Sequence, residues 1–269
     1  MNLKIVISDT MSVSHHINYS RPQSLDNDHC HSSYEILYIL NGTGKYIIEG
    51  STFPIIPGTL MVIRPFEYHS VVIDSISEDA PYDRFVIHFS DVDLVSEASN
   101  LLHKFLESDG TSGRYYTPAV ISSEILSLMD RFEGLNKMPD EEKRAYFKIL
   151  MSELVVLLSV SGGEKMKHDE AELGARVIRY LNDNITKNIC LDKLAKKFFV
   201  SKFYLCRAFK KHNGISVHGY VNRKRVMYAK QLIDSGETAS SAAYKVGFGD
   251  YSAFYRAYVK TIGKAPTAE

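Results

Sequence analysis

The chain of 269 residues is 45% hydrophobic and 24% charged, as in a typical globular protein, and its longest apolar run, LVVLLSV, is too short to cross a membrane. Its formal net charge of +0 hides two opposite halves: residues 1–167 carry 14 basic and 23 acidic side chains, a net of −9, and residues 168–269 carry 18 and 9, a net of +9. This asymmetry favours a basic domain that binds an acidic polymer such as nucleic acid, although two unequal solvated surfaces would give the same counts.

Short apolar segments separated by turn residues dominate the first 90 residues. The dipeptides Asn-Gly, Gly-Ser and Pro-Gly separate them, and such breaks are typical of antiparallel hairpins. The predicted strands are LKIVIS, VSHHINY, YEILYIL, KYIIE, TFPII, TLMVI and YDRFVIHF. So many short strands at close spacing predict a small barrel or a double-sheet jelly roll.

After residue 92 the hydrophobic period becomes helical. One apolar stripe spans residues 121–135, and a second spans 147–158 after a break at Pro139. The two stripes predict a helical hairpin that packs on the barrel, and the broader second stripe predicts a dimer contact.

The segment 159–170 is polar and contains glycine, so it predicts a linker between two domains. We therefore expect an α+β protein with two domains, separated by a linker at 161–169. Residues 1–160 would form the β-barrel with its helical hairpin, and residues 170–269 would form an all-α domain.

Residues 191–214, LDKLAKKFFVSKFYLCRAFKKHNG, predict a helix-turn-helix. Ser201 is a good N-cap for its second helix, whose inward face is predicted to be Tyr204, Leu205 and Phe209. The opposite face would enter a major groove of double-stranded DNA. The predicted DNA-binding residues on that face are Lys202, Phe203, Cys206 and Arg207.

The same pattern recurs after a long helix predicted at 218–234. Asp250 is an N-cap for a further helix that buries Phe254 and Tyr258. The residues predicted to contact DNA in this second unit are Tyr251, Ser252, Tyr255 and Arg256. A plain helical bundle with a basic surface is the alternative, but two units of one design together with a charge of +9 favour DNA binding.

Three segments, YLCRAFKKHNG, YVNRKRVMYAKQLI and AAYKVGFGDYSAFYRAYVKTIGKAP, resemble the DNA-binding domain of the AraC/XylS family of bacterial transcription regulators. The resemblance covers about residues 170–266, with Tyr258-Val259 standing where the family usually has Phe-Lys. It implies a ligand-responsive, sequence-specific regulator whose partners are DNA, RNA polymerase and a small-molecule effector. By the same analogy we expect a homodimer that activates genes for the metabolism of a sugar or another small molecule.

The first half resembles the cupin-like sensor domain often joined to that DNA-binding domain, through HCHSSYEILYILNGTGKYIIEG and PGTLMVIRPFEYH. In metal-binding cupins three histidines and a glutamate are ligands, and the matching positions are His29, His31, Glu35 and His69. Zinc, iron, nickel or manganese would suit such donors. Polar residues at a barrel mouth suit a polar effector equally well, so we predict a ligand-binding wall that needs no metal or other cofactor. The remaining histidines, including His88, are interpreted as surface or satisfied residues.

Motifs of common enzymes are missing, since the chain has no GxSxG, GxxxxGK[ST] or HExxH pattern. We therefore do not expect an enzyme. The alternative function is a metal-dependent cupin dioxygenase or isomerase with a helical appendage. Three cysteines without CxxC spacing, and an N-terminus that makes a poor signal peptide, favour a cytoplasmic protein.

Overall fold

The structure is a computed structural model, and it describes residues 2–8, 10–20, 29–49, 51–107, 112–166 and 173–266. The chain divides into two compact units, the first of residues 1–48 with 52–168 and the second of residues 169–269 with 49–51. Within the described ranges, none of the helices combines the length and the apolar character that crossing a bilayer requires.

The first unit is built from two antiparallel sheets. Its strands are β1 (Leu3–Val6), β2 (Ser12–Asn18), β3 (Tyr34–Asn41), β4 (Gly44–Ile48), β5 (Ser51–Ile55), β6 (Leu60–Ile63), β7 (His69–Ile73), β8 (Tyr82–Phe89), β9 (Ser112–Tyr116) and β10 (Glu164–Met166). The large sheet has the order β1-β2-β8-β3-β6-β9-β10, and the small sheet has the order β5-β4-β7. This β-rich unit confirms the predicted jelly-roll architecture.

Alternation along the strands of the large sheet separates two hydrophobic cores. On β3, Leu37 and Ile39 face the small sheet, whereas Ile36 and Tyr38 face the helices on the opposite side. Those helices are α1 (Ser96–Glu107), α2 (Ser123–Gly134) and α3 (Asp140–Val160). Helices α2 and α3 are the predicted hairpin. Because the inner core is enclosed by sheets, polar side chains on the inner faces of β2, β3 and β8 are directed towards a sheltered interior.

The sequence after residue 92 is not purely helical, and this part of the prediction is wrong. Strand β9 pairs with β6, with Leu60 opposite Tyr116, and β10 pairs in turn with β9. Part of the predicted linker 161–169 therefore belongs to the large sheet, while residues 167–169 lie outside the described residues. Strands β9 and β10 lack the apolar segments that identify the earlier strands, and their order comes from pairing with β6, which is distant in the sequence.

The regular secondary structure of residues 173–266, which make up nearly all of the second unit's described residues, is helical. Its helices are α4 (Leu173–Asp183), α5 (Leu191–Lys197), α6 (Lys202–Asn213), α7 (Val217–Asp234), α8 (Ala239–Lys245) and α9 (Tyr251–Ile262). Helices α5 and α6 form the first helix-turn-helix unit, and α8 and α9 form the second. The predicted N-caps are confirmed, because the side chain of Ser201 accepts from the backbone N–H of Tyr204 and that of Asp250 accepts from Ala253.

One buried arginine joins segments from both halves of this unit. Arg225 of α7 donates to the carbonyl oxygens of Ile185 at 2.8 Å, Lys187 at 2.6 Å and Gly247 at 2.7 Å. The first two precede α5, and the third lies in the turn between α8 and α9. A single guanidinium therefore fixes the approach to the first helix-turn-helix unit relative to the turn of the second.

Candidate functional site

A cavity of about 670 Å³ lies between the two sheets of the first unit. That volume is within the range of small-molecule sites. The lining residues come from β2, β3, β4, β7 and β8 and from the segment before β3. They are Ser12, His16, His29, His31, Ser33, Glu35, Leu37, Tyr46, Ser70, Val71, Tyr82, Arg84, Val86 and His88. The predicted ligand residues His29, His31 and Glu35 are among them.

Glu35 is the centre of a hydrogen-bonded cluster in this cavity. Its Oε2 lies 3.1 Å from Nε2 of His31 and 3.0 Å from Nε2 of His88, and its Oε1 accepts from the hydroxyl of Tyr46 at 3.0 Å. The fourth predicted residue, His69, is fully buried with its Nε2 3.7 Å from Oε2, too far for a hydrogen bond. The buried carboxylate of Glu35 is therefore provided with three hydrogen-bond partners.

Backbone carbonyls orient two of these histidines. The Nδ1 of His31 lies 2.9 Å from the carbonyl oxygen of Ser33, and the Nδ1 of His69 lies 2.8 Å from that of Glu67. Since a carbonyl oxygen can only accept, each Nδ1 carries the hydrogen and each Nε2 is directed towards Glu35.

The electrostatics of the cluster support an ionised Glu35. Burial alone would raise its pKa, but the charge of His69 and the hydrogen bonds from His31 and His88 hold the pKa of Glu35 well below its usual value. Burial alone would lower the pKa of His69, but the Glu35 carboxylate raises it. Burial and the same carboxylate raise the pKa of Tyr46, which therefore stays a hydrogen-bond donor.

His88 is satisfied by hydrogen bonds, as the sequence analysis allows, but it belongs to the cluster, which the sequence analysis does not predict. It lies on β8 directly opposite Glu35 on β3, and its Nδ1 lies 3.2 Å from Oγ of Ser12. The strand itself carries a usable signal, because Ile87 and Phe89 are buried towards the helices and alternation sends His88 to the other face. The pairing of β8 with β3 is long-range and could not be read from the local pattern.

The donors of the cluster also fit a divalent transition metal. Two groups have ligand atoms within 4.8 Å of one another, and they are His29 with Glu35 and His69, and His31 with Glu35 and His88. Among the residues that the structure describes, the buried Nε2 of His69 has no hydrogen-bond partner. A histidine whose Nδ1 bonds to a carbonyl while Nε2 is directed inward has the orientation of a metal ligand.

The predicted DNA-binding residues lie on the outer faces of α6 and α9. On α6, Lys202, Phe203 and Arg207 are exposed and Cys206 is partly buried. Tyr204 is 57% exposed, so its predicted place on the inward face is wrong, whereas Leu205 is buried as expected. Leu205 and Phe209, four residues apart, form the buried stripe of α6, and Tyr204 lies beside this stripe on the exposed side.

On α9 the four residues that the sequence indicates are all exposed. They are Tyr251, Ser252, Tyr255 and Arg256. Phe254 and Tyr258 are buried as predicted. Each helix-turn-helix unit therefore presents one arginine, at matching positions of its second helix, together with exposed aromatic side chains.

Comparisons with known proteins match both units. The family model of the AraC-like ligand binding domain matches residues 13–154, and that of a helix-turn-helix domain matches residues 194–268. The HTH-type transcriptional activator RhaS of Klebsiella pneumoniae (strain 342) is 26% identical over 253 residues, which cover 91% of this chain and 87% of that protein. RhaS of Escherichia coli O139:H28 is 24% identical over 254 residues with the same coverage. The crystal structure of ToxT from Vibrio cholerae O395 is similar with a TM-score of 0.41 and 15% identity, over 97% of this chain and 96% of that chain.

Proposed function

The chain belongs to the AraC family of transcription regulators, and we propose that it is a cytoplasmic homodimer that activates transcription when a small molecule occupies its cavity. The observation that carries this proposal is a polar cavity inside the matched ligand-binding domain of a chain that also holds two helix-turn-helix units. Activation is proposed because its relatives are described as transcriptional activators. An activator of this kind would contact RNA polymerase as a further partner.

The effector is proposed to be polar, and a sugar is one such molecule. Glu35 accepts hydrogen bonds and His88 offers a ring nitrogen within the same cavity, so hydroxyl groups of a ligand have both donors and acceptors to bind. Binding in the cavity regulates the protein only if the effector has a different affinity for the DNA-bound and the free protein.

The dimer is proposed to form through the outer face of α3. Ile149, Val156 and Val160 are exposed at intervals of seven and four residues, so they form one apolar stripe. Sedimentation velocity of the full chain should give a dimer, and Val156→Glu should give a monomer. Val72→Glu, at a similarly exposed position on β7 of the small sheet, is the matched control and should leave the dimer intact.

The DNA-binding step is tested by selecting bound sequences from a random duplex library with the full chain, and then measuring affinity at rising salt. We expect a defined sequence and an affinity that falls by a factor of about 10³–10⁵ between 50 and 200 mM salt if six to ten phosphates are contacted. Residues 168–269 alone should keep the salt dependence, and residues 1–160 alone should not bind. Absence of binding to any duplex would contradict the proposal.

The sensing step is tested with the selected duplex and an effector-dependent transcription assay. His31→Ala and His69→Ala should weaken the response to the effector, because each removes a group that holds Glu35. Neither substitution lies within residues 168–269, so the DNA affinity of that fragment should stay constant. His103→Ala, at a position away from the cavity lining, is the control and should respond as the unaltered chain does.

A metal-dependent sensor is the second candidate, favoured by the inward Nε2 of His69. If such an ion binds, His29, His31, Glu35, His69 and His88 supply its ligands, and the ion would supply a Lewis acid. We propose that none is required, because hydrogen bonds already satisfy Glu35. Elemental analysis of untagged protein should then find less than stoichiometric metal. One tightly held transition metal per chain, whose removal abolishes the response, would establish the metal-dependent sensor instead.

A further inference from the structure

Arg84 lines the cavity without a carboxylate partner among the described residues. Its Nη1 donates to Oδ1 of Asn18 at 2.7 Å, and its Cζ lies 4.3 Å from the centre of the Tyr82 ring. Neither an amide oxygen nor an aromatic ring carries the full negative charge that would neutralise a guanidinium in direct contact. A sheltered cation without a counterion is costly, so this position is suited to an anion that arrives from outside.

Tyr82 supplies an independent observation at the same place. Its side chain is 1% exposed, it lines the cavity, and its hydroxyl has no hydrogen-bond partner in the described part of the chain. A buried hydroxyl without a partner costs about 1–3 kcal/mol. A ligand oxygen that accepted from this hydroxyl would recover that cost.

The surroundings of Arg84 offset its charge only in part, because burial lowers the pKa of Arg84 in spite of the opposing charges of Glu35 and Asp83. His16 is opposite Arg84 on β2, and burial together with the charges of Arg84 and Lys4 lowers the pKa of His16. Glu35 is the carboxylate among the lining residues, and it is engaged with the histidines and Tyr46. Among the described residues, this end of the cavity therefore has one guanidinium and no carboxylate bonded to it.

We propose that the effector carries an anionic group, either a carboxylate or a phosphate monoester, which pairs with Arg84 and accepts a hydrogen bond from the Tyr82 hydroxyl. A guanidinium stacked on a ring presents its N–H groups edgewise, which suits two-pronged binding to either anion. The inference rests on the proposed function, because it assigns the chemical class of the effector in the same cavity.

The cavity also determines the shape of such an effector. On the inner face of β8, Arg84 and His88 are four residues apart, which corresponds to about 13 Å along the strand. Between them, Leu37 pairs with Val86 and provides an apolar floor. An effector that binds both ends has a hydroxylated part near Glu35 and an anionic group near Arg84, as in a sugar acid or a sugar phosphate.

The test uses the full chain and titration calorimetry with matched pairs of probes. The pairs are galactose with galacturonate and glucose with glucose 6-phosphate, and inorganic phosphate is added as a free anion. We expect at least one sugar anion to bind about ten- to a hundredfold more tightly than its neutral partner, the range for hydrogen bonds to a charged group. A preference for galacturonate or for glucose 6-phosphate distinguishes a carboxylate from a phosphate.

Four variants connect the preference to the proposed contacts. Arg84→Met should abolish the preference for the anionic probe, and Arg84→Lys should retain part of it. Tyr82→Phe should weaken binding of the anionic probe but not of its neutral partner. Asn18→Asp places a carboxylate where an amide oxygen already accepts from Arg84. It should therefore raise the melting temperature of the ligand-free protein and weaken binding of the anionic probe. Arg131→Met is the control, because Arg131 pairs with Glu153 on the helical hairpin and should leave binding unchanged.

Equal binding of neutral and anionic partners, binding of inorganic phosphate alone, or no binding by any sugar anion would overturn the inference. So would an Arg84→Met variant that keeps the full preference. These outcomes differ from failure of the proposed function, which would appear as loss of sequence-specific DNA binding by the same protein. If a neutral sugar alters DNA binding, the proposed anionic effector is wrong, but the proposed function as a ligand-responsive regulator is supported.

Discussion

The two helix-turn-helix units have the same backbone turn but different residues in it. In each turn one residue has a positive φ, 56° at Phe199 and 96° at Gly247. In each unit the next residue donates its backbone N–H to the carbonyl oxygen five residues earlier. The pairs are Val200 with Ala195 in the first unit and Phe248 with Ala243 in the second. Both turns are therefore helix C-terminal caps of one type, although only the second has the glycine that this conformation favours.

The space around the two turns explains the difference. A Cβ at Gly247 would lie 2.4 Å from the carbonyl oxygen of Thr186, whereas the side chain of Phe199 is 94% exposed. Glycine is thus required in the second unit by a close approach of backbone as well as by φ. In the first unit the only penalty is the free energy of the left-handed conformation at Phe199. A side chain of any size fits there because it is directed into solvent.

The largest effect is expected from Gly247→Ala, which tests the close approach. We expect the free energy of unfolding to fall by about 2–4 kcal/mol, because a left-handed residue gains a Cβ and the Arg225 hydrogen bond to its carbonyl is disturbed. Urea unfolding of residues 168–269, followed by circular dichroism, measures this change. Gly249→Ala, in the same turn with open space around it, is the control and should change stability little.

The next effect compares the arginines at equivalent positions, Arg207 of α6 and Arg256 of α9. Either could bind guanine through two hydrogen bonds, so replacement by alanine should weaken binding to the selected duplex by about 1–3 kcal/mol and relax one base position. Quantitative binding to duplexes that vary one base pair at a time measures both. If Arg207→Ala left affinity and sequence preference unchanged, the assignment of α6 as a reading helix would be wrong.

A smaller and different effect is expected at the first position of each second helix, which is Lys202 in α6 and Tyr251 in α9. Lys202 makes an exposed ion pair with Asp192 at 3.0 Å, and such pairs are weak enough to exchange for a phosphate. Lys202→Ala should weaken all duplexes alike and reduce the slope of log affinity against log salt by about 1. Tyr251→Ala is the comparison and should leave that slope unchanged. A loss confined to one sequence would instead assign Lys202 to a base.

The smallest effect is a gain of stability at the first turn. Phe199→Gly should raise the free energy of unfolding by about 0.5–1 kcal/mol, because relief of the left-handed conformation exceeds the added flexibility of the unfolded chain. Phe199→Leu keeps the conformational cost and should give no gain. Urea unfolding of residues 168–269 decides, and a less stable Phe199→Gly variant would mean that the phenyl ring makes stabilising contacts.

The sequence predicts the features of this molecule that depend on neighbours along the chain. Ser201 and Asp250 identify the starts of α6 and α9 because an N-cap bonds within its own first turn. The strands of the jelly roll follow from alternation and turn residues. Alternation along β3 places Glu35 on the same face as Leu37 and Ile39, so the inward direction of Glu35 also follows from the sequence.

The features that the sequence leaves open depend on pairing between distant strands. His88 and Arg84 look like ordinary polar residues of β8 until the register places them opposite Glu35 and His16. The return of β9 to β6 likewise has no local signal. The candidate site is therefore half predictable, since one wall follows from β3 and its preceding segment and the other comes from the topology of the sheet.

The three hydrogen bonds of Arg225 have a consequence for the DNA sequence that the protein can bind. Because the segment before α5 and the turn before α9 are held by one guanidinium, the two reading helices have a fixed separation and rotation. B-form DNA turns once in about 10 base pairs and 34 Å, so one inserted base pair displaces a contact by about 3.4 Å and 36°. We therefore expect an operator whose two contacted segments keep a constant helical phase, and in which a spacer of altered length is as harmful as a wrong base.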